Sequence, residues 1–112
     1  MSTRTDLAQA ATLDGVTNVT PLYRQSLRPG DGFVRLGQRR RAANGFGYIQ
    51  DWEVWIAVPD DLAAAETWLD THLAAITETV DAVIVVTTVT PSQLVLGSAT
   101  ANGIVLAGSI PA

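Results

Sequence analysis

The run Arg39-Arg40-Arg41 is the sharpest cluster of chemistry-bearing side chains in the sequence. Adjacent guanidiniums can clamp phosphate or nucleic acid, pair with an acidic protein surface, or simply stand in solvent. The protein-interface and solvated readings stand ahead of the nucleic-acid one. Asp51 and Glu53 lie two apart, so an extended chain puts both on one face. Paired carboxylates can do acid–base work or bind a hard cation, but a solvated or subunit-facing strip is the simpler account. His72 is the only histidine and cysteine is absent, so a zinc site would need carboxylate partners alone. A histidine lodged beside Trp68, one helical turn earlier, is the better reading. Ser92, Ser98 and Ser109 fit no nucleophile-elbow pattern. Gly45-Phe46-Gly47 has neither a third glycine nor a lysine, and so is no phosphate loop. Asp60-Asp61 reads as a helix cap. Trp52, Trp55 and Trp68 read as core or interface anchors, since no basic residues interleave with them as in a base-stacking platform.

These residues imply no catalytic, metal or cofactor site. The candidate set is an interface to another subunit or partner: Arg35, Arg39, Arg40, Arg41, Asp51, Glu53 and Trp55. Hydropathy patterning indicates the elements that must position it. A helix is expected over about Thr3 to Leu13, with Thr3 and Asp6 as a capping pair and Leu7, Ala10, Ala11 and Val16 as its stripe. Asp14-Gly15 is its stop. A short extended piece follows at about Val19 to Arg24. Arg28-Pro29-Gly30-Asp31-Gly32 is turn chemistry. A strand from Phe33 to Gly37 should lead through a polar connection, Gln38 to Gly45, which carries the three arginines. A long strand from Phe46 to Val58 should turn Tyr48, Trp52, Val54, Ile56 and Val58 to one face and Ile49, Asp51, Glu53, Trp55 and Ala57 to the other.

Pro59-Asp60-Asp61 announces a second helix reaching about Thr79, with Leu62, Ala65, Leu69, Leu73, Ile76 and Val80 on its apolar stripe. Three strands are expected after it, at Ala82 to Thr90, Gln93 to Gly97 and Ile104 to Ile110. A break at Pro91-Ser92 and an Asn102-Gly103 hairpin turn should separate them. The expected fold class is α+β: a single mixed, mainly antiparallel sheet with two helices packed on one face. One domain over residues 1–112 is expected. Two helices leave the second face of such a sheet more apolar than a monomer normally exposes, which points to oligomerisation.

The apolar share of 47% is enough for a sizeable core. No lysine is present, which excludes Schiff-base chemistry. Without an apolar leader or a stretch of about 20 apolar residues, the chain reads as soluble and intracellular when made, with no membrane partner. The net charge of −4 argues against general nucleic-acid affinity. Its distribution is uneven. Residues 1–50 hold all seven arginines against Asp6, Asp14 and Asp31, while residues 51–112 hold eight acidic residues and no basic one. Opposed charges suit head-to-tail association, unless the two halves interleave in space.

Taken in order, several segments resemble the tail terminator proteins of long-tailed, non-contractile bacteriophages, especially the small ones from phages of actinobacteria. They are the opening helix Ser2-Thr3-Arg4-Thr5-Asp6-Leu7-Ala8 with its Gly15-Val16 exit, Arg28-Pro29-Gly30-Asp31-Gly32 with Leu36-Gly37, and Trp52-Glu53-Val54. Val58-Pro59, Glu66-Thr67-Trp68-Leu69-Asp70 and Asn102-Gly103 follow. The resemblance covers nearly the whole chain and rests on the order of degenerate patterns. It implies a mixed sheet with helices on one side. It also implies a homohexameric ring in the virion, at the head-proximal end of the tail, assembled in the host cytoplasm. Such a ring caps the finished tube, meets the tail tube protein and a head-completion or connector protein, and encounters nucleic acid only as DNA passing through it. No enzyme activity and no cofactor are implied. Another head–tail connector or a tail tube subunit is the nearest alternative. A small nucleic-acid-binding module using Arg39 to Arg41 is the alternative of a different class.

Overall fold

Trp52, Val54 and Ile56 stand two apart, so an extended chain must turn them to one face. A computed structural model describes residues 3–12, 18–22, 29–43, 45–59, 61–96 and 99–111 and places all three in the core, on strand β3 (Tyr48–Ala57). The other strands are β1 (Asn18–Thr20), β2 (Asp31–Arg41), β4 (Val85–Leu96) and β5 (Ala99–Pro111). Among the described residues they form one five-stranded sheet in the order β1-β2-β3-β5-β4. The β1–β2 pair is parallel and the rest are antiparallel. The fold is α+β, with a mixed, mainly antiparallel sheet and two helices on one of its faces.

Helix α1 (Thr3–Ala11) buries Leu7, Ala8 and Ala11; Ala8, not Ala10, completes its stripe. Arg4 anchors it, donating from Nη1 to the carbonyls of Pro21 at 3.0 Å and Val34 at 3.2 Å. Its guanidinium also lies 5.1 Å from the centre of the Trp52 ring. Helix α2 (Leu62–Asp81) is capped by Asp61, whose carboxylate accepts the Ala64 amide at 3.0 Å. It runs two residues past the expected Thr79 end. Ala65, Ile76 and Val80 are buried against the same sheet face as Leu7 and Ala11. That core also takes Val34, Ile104 and Leu106.

Three sequence expectations are overturned. First, the arginines occupy no connection: β2 continues to Arg41, with Arg39 opposite Gln50, Arg40 opposite Ile49 and Arg41 opposite Tyr48. A register irregularity between Leu36 and Gln38 absorbs the polar break that resembled a loop. Second, Pro91-Ser92 does not divide a strand. β4 is one strand, Ala82 to Ile84 precede it, and Pro91 pairs with Ile104 inside it. Asn102 directs its carbonyl to Val58 N on the β3 side at 3.0 Å, so Ile104, two residues on, faces β3 too. Pro91 therefore owes β5 no donor, and its nitrogen faces the outer edge, where proline is tolerated.

Third, Asn102-Gly103 is not a turn. Both lie within β5, opposite Gln93 and Ser92. Gly103 is there for close approach: an added Cβ would meet the Leu94 side chain and stand 2.5 Å from the Ile56 carbonyl oxygen. The β4–β5 hairpin closes at the Leu96–Ala99 pair instead. Gly97, the expected strand end, and Ser98 lie outside the described residues, as do the Asp14-Gly15 stop, Val16 and the expected strand end at Arg24.

The β4 faces also differ from strict alternation. A bulge between Val86 and Thr88 lets Val86 and Val89 both pack on the helix-bearing side. The other face carries a smaller cluster, in which Phe33 and Leu94 are buried and Trp55, Ala101 and Val105 partly so. None of the helices among the described residues is long and apolar enough to cross a membrane.

Candidate functional site

The β2–β3 hairpin carries all seven candidate interface residues. Its tip contains Gly45 and Gly47 at φ 79° and 72°, a backbone that glycine adopts without a Cβ penalty. Between them stands Phe46, 82% exposed. The tip closes with the Ala42 amide donating to the Gly47 carbonyl at 3.2 Å.

The irregularity after Leu36 sorts the arginines between the two faces. Arg39 and Arg41 share the face of Tyr48, and their guanidiniums lie 4.7 Å and 4.9 Å from its ring centre. Arg41 also donates from Nη2 to the Tyr48 hydroxyl at 3.0 Å and from Nη1 to the Gly45 carbonyl at 3.4 Å. Tyr48 is thus a platform that holds two cations in fixed positions. Arg35 and Arg40 lie on the opposite face, which no described helix covers, together with Asp51, Glu53 and Trp55. There Arg35 stacks 5.3 Å from the Trp55 ring centre, and Trp55 Nε1 donates to Glu53 at 3.0 Å. Phe33 meets the Trp55 ring from the side, centre to centre 5.2 Å.

Arg40 Nε donates to Asp51 at 3.1 Å, and Ser109 Oγ on β5 donates to the other Asp51 oxygen at 2.6 Å. The Ser109 hydroxyl first, and Arg40 next, hold the Asp51 carboxyl below its ordinary value of 3.8. These groups border a shallow groove of about 510 Å³ with Gln38, Glu53 and Thr87. An aspartate held ionised by two donors is a poor proton acceptor, so this groove suits polar recognition better than general-base chemistry.

The other chemical candidates are dispersed. His72 sits on α2, its ring 4.9 Å from that of Trp68. The Ser92 hydroxyl donates to the Gln93 carbonyl at 3.5 Å, and Ser98 is outside the described residues. No group of three metal-ligating side chains gathers among the described residues. The charge division is partly cancelled within the subunit, since β2 lays Arg40 beside Asp51 and Arg35 opposite Glu53. The acidic residues of α2 stay exposed, Glu66, Asp70 and Glu78 among them.

Sequence reasoning missed Ser109 and Gln38 as partners of Asp51, Tyr48 as the arginine platform and Phe46 as the exposed tip. Alternating arginines on a strand, Arg39 and Arg41, followed by an aromatic beyond a glycine turn, would have signalled the platform. Ser109 could not be found without the β3–β5 register. Comparison of the sequence with protein-family models and with curated proteins returns no match.

Proposed function

We propose that the chain is a structural, self-associating subunit, a tail-terminator-type protein that caps a finished phage tail tube as a ring and offers the head-joining surface. The observation that carries the self-association is the uncovered sheet face. Trp55 stays partly exposed there, framed by Arg35 and Glu53, with Val105 and the Asp51–Arg40–Ser109 network beside it. An aromatic anchor with a polar, hydrogen-bonded surround is the usual make-up of a protein interface. The phage setting comes from the ordered resemblance of the sequence segments, and the α+β fold with helices on one side agrees with it.

Light scattering on the purified chain is the direct test. A discrete ring near six subunits is expected, and added tail tube protein should then stop elongating once capped. A monomer at all concentrations would refute the reading. Open-ended polymers would instead assign the chain to the tube. The nucleic-acid alternative rests on Arg39 to Arg41 and requires duplex DNA binding with a steep salt dependence.

A further inference from the structure

We propose that the β2–β3 arm of one copy docks into the groove between α2 and β4 of the next, with Phe46 entering the groove and Arg39 and Arg41 facing its carboxylates. The inference rests on the self-associating reading above. Two surfaces of the same chain complement each other in charge, and each carries an apolar element.

The groove holds about 680 Å³ and is floored by Leu69 and Leu73 of α2 and by Val86 of β4. Asp70, Glu78 and Asp81 form its rim, and no basic side chain lines it among the described residues. Asp70 and Glu78 lie eight residues apart, on one side of the helix. Asp81 accepts the Val86 amide at 3.0 Å through one oxygen, which fixes the carboxylate at the groove's end. This is an apolar slot with a negative margin.

The arm is its counterpart. Phe46 is 82% exposed at the tip, and Arg39 and Arg41 are held against Tyr48 just behind it. Their contacts with Tyr48 reduce the freedom the two charges lose on docking, which favours association. The exposure of Phe46 also shows that its own chain's groove does not hold it. The arm and the groove are separate surfaces of the chain, the one at the β2–β3 tip and the other between α2 and β4. Because they are different surfaces, a contact between the arm of one copy and the groove of the next is head-to-tail, and it closes into a ring when the rotation per subunit permits. A polyanion is the weaker occupant for the arm, because the chain carries −4 overall and its complementary acidic surface is built in.

The test compares association of the full-length chain with that of four variants, by light scattering and sedimentation at low salt, with circular dichroism to verify folding. Phe46→Ala, the pair Arg39→Glu with Arg41→Glu, and the pair Asp70→Arg with Glu78→Arg should each weaken assembly by at least about tenfold. The chain carrying both charge-reversed pairs should recover assembly to within about threefold of the parent. A parent ring unaffected by either reversed pair, or a folded chain carrying both pairs that stays dissociated, overturns the inference and leaves the self-association reading standing. A monomeric parent overturns both. Loss of duplex DNA binding on reversing the arm, with oligomer mass unchanged, assigns the arm to nucleic acid and also overturns the inference.

Discussion

Asp51 was picked out of the sequence as half of a carboxylate pair, but Glu53 is not its functional neighbour. Its partners are Ser109, at 2.6 Å, and Arg40, at 3.1 Å. Both favour the ionised form and lower the folded-state pKa, with Ser109 the larger cause. The consequence for stability has a definite sign. A carboxyl whose pKa is depressed on folding contributes fully above its unfolded value, and the contribution is lost as pH falls through the folded value. Replacing Ser109 by Ala is expected to cost about 1–2 kcal/mol at neutral pH, as for a hydrogen bond to a charged acceptor. It should also flatten the acid limb below about pH 4, where the unfolded aspartate titrates. Urea denaturation between neutral and acid pH measures both. An unchanged acid limb would show that the Ser109 bond does not set the Asp51 pKa.

At the level of elements, residues with strong periodicity were legible and residues with strong local signals were not always so. The β3 alternation, the α2 stripe and the Asp61 cap lie where hydropathy and capping chemistry put them. Asn102-Gly103 and Pro91 misled, because each carries two meanings. Glycine permits a turn or a close approach, and proline ends a strand or occupies its free edge. Only the pairing register decides between them, and that register is a long-range property. The candidate site suffered in the same way: its residue types were visible, but the Leu36–Gln38 irregularity that puts Arg40, and not Arg39 and Arg41, on the face of Arg35 was not. Gly103→Ala tests the close-approach reading. Its methyl group would press on Leu94 and on the Ile56 carbonyl, so a loss of about 1–3 kcal/mol is expected by chemical denaturation. A neutral effect would return Gly103 to a merely permissive role.

At the scale of the whole molecule, the charge division in the sequence becomes two different things. Along the β2–β3 pair it is satisfied internally, by Arg40 on Asp51. Elsewhere it survives as an arm bearing Arg39 and Arg41 and an α2 surface bearing Asp70 and Glu78. Pro91 then acquires a role beyond being tolerated. Among the described residues β4 (12 residues) is an outer edge of the sheet, and such edges seed aggregation unless something interrupts them. With its nitrogen facing outward, Pro91 removes one rung from the middle of that ladder. In the tube-capping role proposed above, the proline would keep this edge from pairing with a neighbour's strand. Pro91→Val restores the rung, and incubation of the variant should show faster fibrillar or amorphous aggregation than the parent by thioflavin fluorescence and turbidity. Equal rates would mean that the margin is guarded by something other than its proline.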